Sequence, residues 1–240
     1  MDLEMQLGRS FFRSLVSHPA GRAHVLSLMV SAEEGDESGV FDQLVRKADD
    51  AELEKLVRRH QDDERRHAEM YRACLTRNGL DFAPVPDDLM IIRQVGREAG
   101  GLFAVGAETG AAPITSREDV MNTYALLLAI EERGVQRFPL IGAEFRRIGD
   151  TETADTFDRV TEDERRHTKY CRAIGRRYAP DDATWNAAVT KYAATEARAF
   201  ARVGVASIAH ALDRGLVWRR LPKPLSRAVG RAFRARSAVA

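Results

Sequence analysis

The pentapeptide Asp-Glu-Arg-Arg-His is written twice in this chain, at residues 63–67 and 163–167, and the longer stretches read DDERRHAEMYRA (62–73) and EDERRHTKYCRA (162–173). At an offset of 100, Asp63, Glu64, Arg65, Arg66, His67, Arg72 and Ala73 fall on Asp163, Glu164, Arg165, Arg166, His167, Arg172 and Ala173, and Asp50 falls on Asp150. Self-similarity at a fixed offset marks a duplicated supersecondary unit. Positions i and i+3 of a helix share a face, so Glu64 points with His67 and Glu164 with His167. From Glu64, the positions −8, −7, +7 and +11 hold Leu56, Val57, Tyr71 and Leu75; from Glu164 they hold Thr156, Phe157, Cys171 and Gly175. Both Glu-x-x-His pairs therefore lie on the most apolar face of their helix, while the arginines between them point sideways or outward. Charge on a core-facing stripe is costly unless it is paired or holds a metal ion.

The flanking pattern supplies the rest of a helical architecture. Val25, Leu28, Met29, Ala32, Val40, Phe41, Leu44 and Val45 recur at helical spacing and predict one helix over 20–48, weakened locally at Gly35 and Gly39. Asp49-Asp50 is an N-cap signal for a second helix from Ala51 to Arg77, ended by Asn78-Gly79. Residues 80–115, with three prolines and five glycines, form a long crossover carrying a short helix near 87–99. Ser116 with Asp119 predicts a capping box for a third helix to Ile148, which contains Pro139 and should kink there. A fourth helix follows over 151–178, a fifth over 183–217, and a basic amphipathic segment over 225–236. No stretch reads as a strand. The expected organisation is an N-terminal segment (1–19), an all-α four-helix unit made of two duplicated hairpins (20–180), and a C-terminal helix with a basic tail (181–240).

Two Glu-x-x-His helices need carboxylates from their partner helices. Glu131 lies on the stripe of Tyr124, Leu127, Leu128, Val135 and Phe138 and should face inward, with Glu132 its competitor. In the first helix Glu34 is favoured, because it precedes Phe41 by seven residues as Glu131 precedes Phe138; Glu33 and Glu37 are the substitutes. Glu34 stands 30 residues before Glu64 and Glu131 stands 33 before Glu164, so the two repeats are out of register here. Four carboxylates and two imidazoles inside a helical bundle suit a pair of metal ions: carboxylates bridge and neutralise the cations, and imidazoles complete each coordination sphere.

Over residues 20–178 this pattern resembles the ferritin-like di-iron superfamily, in which a Glu is followed about thirty residues later by Glu-x-x-His, twice. The Asp-Glu-x-x-His form is most similar to its rubrerythrin-type and N-oxygenase-type branches. The resemblance implies a ferritin-like four-helix bundle holding two iron ions per chain, or manganese, on Glu34, Glu64, His67, Glu131, Glu164 and His167. It implies that Asp63 and Asp163 each orient the histidine of the opposite repeat. His60, four residues before Glu64 and matched by Val160 in the other repeat, is either a seventh ligand or, as favoured here, a partly exposed helix histidine. Tyr71 and Cys171, at equivalent positions one turn past the histidines, line the bundle with Tyr124; packing is the favoured role. His18, His24 and His210 have no motif partner.

The implied activity is an oxidoreductase that activates dioxygen or peroxide, with an oxygenase or oxidase acting on a small organic substrate slightly preferred. The alternatives are a rubrerythrin-like peroxide reductase and an iron-binding, ferroxidase or membrane-docking bundle. Cys74 and Cys171 are the only cysteines and no Cys-x-x-Cys pair exists, which disfavours a disulfide scaffold, a zinc ribbon or a rubredoxin-type centre, so an external electron donor is expected. The N-terminus MDLEMQLGRSFF carries acids where a signal peptide carries lysines, and no run of 18 apolar residues occurs, so a cytoplasmic protein is expected. Residues 214–240 hold 8 of the 37 basic residues and no acid, leaving 29 basic against 36 acidic in residues 1–213. Leu225, Val229 and Phe233 form an apolar stripe flanked by Arg227, Arg231, Arg234 and Arg236. Fold-back onto the acidic body or packing in a homodimer is favoured for this tail, ahead of contact with a membrane surface through 222–240; without interleaved aromatics, nucleic acid is not an expected partner.

Overall fold

The computed structural model of the chain describes residues 3–34, 39–100, 102 and 114–217. Among the described residues there are eight α-helices and no strand: α1 (Leu3–Val16), α2 (Pro19–Glu33), α3 (Val40–Lys47), α4 (Ala51–Arg77), α5 (Ile91–Glu98), α6 (Arg117–Arg147), α7 (Thr151–Tyr178) and α8 (Asp182–Asp213). A 3-10 turn at Asp87–Leu89 precedes α5 within the crossover. Glu37 and the basic tail, including 222–240, lie outside the described residues.

The helix starts follow the caps written in the sequence. The side chains of Asp50, Asp150 and Asp181 accept from the backbone N–H of Leu53, Thr153 and Thr184 at 2.8, 3.1 and 2.7 Å. Ser116 and Asp119 form a reciprocal capping box at the start of α6. Each such cap stabilises its helix by about 1 kcal/mol. Pro139 lies inside α6, which runs unbroken through it.

The single helix expected over 20–48 is instead two. α2 ends at Glu33 and α3 starts at Val40, with Gly39 at φ +61° as the N-cap of α3. A residue in the left-handed region cannot continue a right-handed helix, and glycine takes that conformation without the usual steric cost. The phase of α2 is therefore not carried into α3.

α2 packs on α4, α6 on α7, and α4 on α7; α1 covers α2 and α6, and α8 covers α6 and α5. Two apolar layers result. One gathers Phe41, Leu44, Leu53, Val57, Tyr124, Leu127, Leu128, Ile174, Tyr178 and Trp185. The other gathers Leu15, Leu26, Val30, Tyr71, Leu75, Ile141, Phe145 and Phe157. Along α4 the chain passes the first layer at 53–57 and the second at 71–75; along α7 it passes the second at 154–160 and the first at 171–178. The repeated DERRH segments fall between the layers on both helices. Each fully buried Leu, Ile or Phe stabilises by about 1.5–3 kcal/mol, and that apolar packing holds a band of buried charge in the middle. Among the described residues no helix is long and apolar enough to cross a membrane.

Candidate metal centre

Between the apolar layers, two groups of donor atoms converge. Glu33, Glu64, His67 and Glu164 each bring one ligand atom within 4.8 Å of all the others, and so do His60, Glu64, Glu131 and His167. Glu64 belongs to both groups. Glu164 also reaches both, with Oε1 3.5 Å from His67 Nδ1 and Oε2 3.1 Å from His167 Nδ1. α2 contributes Glu33, α4 contributes His60, Glu64 and His67, α6 contributes Glu131, and α7 contributes Glu164 and His167. All are buried except Glu64, whose side chain is 16% exposed.

The histidines are held from behind. His67 Nε2 lies 3.0 Å from Asp163 Oδ2, and His167 Nε2 lies 3.3 Å from Asp63 Oδ2. Each aspartate thus serves the histidine of the other repeat. Arg66 donates to both aspartates, at 2.6 Å to Asp163, and Arg166 pairs with the same two. Burial alone would raise Asp163, but hydrogen bonds from His67 and Arg166 outweigh it and hold the carboxyl below its usual range. A carboxylate accepting from Nε2–H fixes the tautomer with Nδ1 as a lone pair. In both rings Nδ1 then faces carboxylate oxygens: His67 Nδ1 stands 3.5 Å from Glu33 Oε2, and His167 Nδ1 stands 3.4 Å from Glu64 Oε1 and 3.5 Å from Glu131 Oε2.

Lone pairs aimed at one another repel unless a cation or a shared proton lies between them, as a hydrogen bond joins His167 Nδ1 to Glu164 Oε2 at 3.1 Å. His67 Nδ1, both ring nitrogens of His60, and Glu64 Oε1 are buried without a hydrogen-bonding partner. His60 Nε2 stands 3.1 Å from Glu64 Oε1 and 3.2 Å from Glu131 Oε1 without the angles of a hydrogen bond. Donors about 2.1 Å from a shared ion stand about 3.0 Å apart at right angles and about 3.4 Å apart at tetrahedral angles, which is the spacing these atoms keep. The donor set fits a pair of metal ions.

The electrostatics of the cluster reflect how closely its carboxylates are crowded. Burial first, then the neighbouring Glu64 carboxylate, pushes Glu33 well above the usual carboxylate range. Burial and Glu131 do the same to Glu164. Burial opposes charging of His60, yet the Glu131 and Glu64 carboxylates raise its imidazole to about 9. The cluster holds protons where cations would otherwise neutralise it.

Of the expected residues, the structure brings together Glu64, His67, Glu131, Glu164 and His167, with Asp63 and Asp163 behind the histidines. It does not bring Glu34. Glu34 caps the C-terminus of α2, is 44% exposed, and pairs with Arg72 through contacts that include Nε at 3.0 Å. Glu33, the substitute, takes the inward position. Glu132 likewise faces out and accepts from Arg172 at 2.7 Å. The signal was the matched dipeptides: Glu33-Glu34 and Glu131-Glu132 each put their first carboxylate inward and give the second to an arginine, Arg72 or its equivalent Arg172. His60, expected to be a partly exposed helix residue, is instead 1% exposed with its ring 4.1 Å from that of His167. Its counterpart Val160 is fully buried too, so the apolar partner marked an inward position. Tyr71 is buried against Phe157, with ring centroids 5.0 Å apart. Cys171 and Tyr124 are buried in the apolar layer on the far side.

The other three histidines work elsewhere. His18 caps α2 through Gly21 N–H at 3.1 Å and places Nε2 2.6 Å from the Leu216 carbonyl. His24 stacks on His210 with centroids 5.1 Å apart, and burial together with that neighbour lowers it to about 4.

Comparison of the chain with family models, with curated proteins and with solved structures finds no match.

Proposed function

We propose that this chain is a ferritin-like di-iron oxidoreductase, with manganese as the alternative metal, that reacts with dioxygen or peroxide. The observation that carries the reading is the pair of donor groups sharing Glu64, each with an inward Nδ1 whose ring is held from behind by the aspartate of the opposite repeat. Glu33, Glu64, His67 and Glu164 would hold one ion, and His60, Glu64, Glu131, Glu164 and His167 the other. Four carboxylates match the charge of two divalent cations. When bound, an iron(II) pair supplies the two electrons that reduce dioxygen or peroxide.

The chain's own residues perform the remaining tasks. Asp63 and Asp163 hold the imidazoles in one tautomer and orientation, and Arg66 with Arg166 holds both aspartates in place. The apolar layers exclude water on both sides, which strengthens every interaction within the centre. Glu64, the least enclosed donor, marks the side from which small molecules approach. Re-reduction falls to an external donor, and a small organic substrate is the expected recipient of the oxidising power.

Metal analysis after anaerobic loading tests the reading. About two iron or manganese ions per chain are expected, as this ligand count implies, and Glu64→Ala and Glu164→Ala should each lower that figure. Unchanged metal content in both variants would refute the proposal. Mixing the loaded, reduced protein with oxygen or with peroxide then identifies the oxidant by which one oxidises the metal rapidly.

A further inference from the structure

The two halves of the centre are not equivalent, because the repeats differ at inward positions beside it, among them His60, matched by Val160, and Tyr71, matched by Cys171. On the reading above, the His167 half carries two imidazoles together with Glu131, Glu64 and the nearer oxygen of Glu164. The His67 half carries one imidazole and three carboxylates. The His167 half is thus the fuller of the two, and the room for an added ligand lies in the His67 half.

Tyr71 lies in the apolar layer on the side of the His67 half, with Leu75 and Phe157. It lies one turn past His67 on the same face of α4 and is fully enclosed. Its hydroxyl has no hydrogen-bonding partner. Its neighbours are otherwise engaged: the ring packs on Phe157 at 5.0 Å, and the Cys74 thiol donates to Thr156 Oγ1 at 3.4 Å. Burial, followed by the Glu33 and Glu164 carboxylates, pushes the phenol far up, so it remains a donor. A buried O–H without an acceptor is destabilising, and phenylalanine would fill the same space without that cost. Cys171, in the matching position of the other half, is held as a thiol by burial and is at best a weak donor.

We infer that a small anionic ligand, of the class of hydroperoxide or azide, binds in the His67 half of the centre and accepts a hydrogen bond from Tyr71. Tyr71 is then a positioning residue for the ligand rather than a packing residue. Tyr170 is the competing donor, since its hydroxyl is also buried without a partner. Its ring, however, lies across both imidazoles of the His167 half, with centroids 5.2 Å from His60 and 5.5 Å from His167, and so covers the half that is already full.

Azide is the probe, titrated into the iron-loaded, oxidised full-length protein and followed by its charge-transfer absorption. One azide per metal pair is expected. Tyr71→Phe should weaken it about tenfold, the effect of losing one hydrogen bond to a charged acceptor. That variant should keep the parent's metal content, and its metal-free Tm should not fall. Tyr170→Phe and Cys171→Ala should bind azide as the parent does, and His60→Val should admit a second azide. Parent-like azide affinity in Tyr71→Phe, or transfer of the loss to Tyr170→Phe, overturns the inference while leaving the metal reading intact. A chain that takes up no metal overturns both.

Discussion

Raising the pH should destabilise the metal-free chain through His60, and the size of the effect follows from where that ring sits. Its imidazole lies between the Glu64 and Glu131 carboxylates at 3.1 and 3.2 Å and is raised from 6.5 to about 9. A group whose folded pKa lies above its unfolded value contributes its full stability below the unfolded pKa. That contribution is lost as pH rises through the folded one. The window is therefore about pH 6.5 to 9, and stability must fall across it. The difference corresponds to about 3 kcal/mol. Glu33 and Glu164 are raised as well and add loss of the same sign. For a chain of this length, about 3 kcal/mol lowers Tm by roughly 6–12 °C. Thermal denaturation of metal-free protein from pH 6 to 9.5 measures it. His60→Val, which installs the residue of the other repeat, should start less stable and show a much shallower slope. Metal-loaded protein should lose little across the window, because cations replace the protons and bind more tightly as protons leave. A metal-free Tm that is flat or rising between pH 7 and 9, or a slope unchanged by His60→Val, would refute the reasoning.

The other predictions concern single side chains. Glu33→Ala should lose about one of two bound metals, whereas Glu34→Ala should keep both and lose only the exposed ion pair with Arg72, a contact contributing about 0–1 kcal/mol; metal analysis of the two variants separates them. Asp163→Asn and Asp63→Asn should each weaken metal binding about 10- to 100-fold, because the imidazoles lose the carboxylates that orient them; competition with a chelator gives the ratio. Gly175→Ala should destabilise the fold by about 1–3 kcal/mol, since its Cβ would stand 2.4 Å from the Trp185 ring; denaturant unfolding measures the loss, and a neutral result would mean that Trp185 repacks freely.

The site was legible where helical phase runs unbroken and illegible where it does not. α4 and α7 are continuous from their aspartate caps to their ends, so the spacing of Glu64 from His67 and of Glu164 from His167 translates directly into a shared face. α6 is continuous through Glu131 and Phe138, and the apolar stripe there placed Glu131 correctly. The same step applied to Glu34 and Phe41 assumed a helix running through 34–41. α2 ends at Glu33 and α3 begins at Val40, after the left-handed Gly39, so a seven-residue spacing across that break carries no information about direction. Comparing the repeats escapes this failure, because it needs no helix between the positions compared. It pairs Glu33-Glu34 with Glu131-Glu132 and Arg72 with Arg172, and the outward salt bridges Glu34–Arg72 and Glu132–Arg172 then leave only the first glutamate of each pair to turn inward.

His60 required a different kind of information. From sequence, a lone histidine on a charged helix is most economically solvated, and its match to Val160 looks like the absence of a partner. Once α4 meets α7 across the bundle, the same match says that position 60 is enclosed, and an enclosed imidazole must find acceptors or a cation. It finds Glu64, its i+4 neighbour on the same helix, and Glu131 on α6, which becomes its neighbour only once the hairpins are packed together. The duplication thus specifies a symmetric frame, and the departures from symmetry at His60 and Tyr71 make the two donor groups chemically distinct.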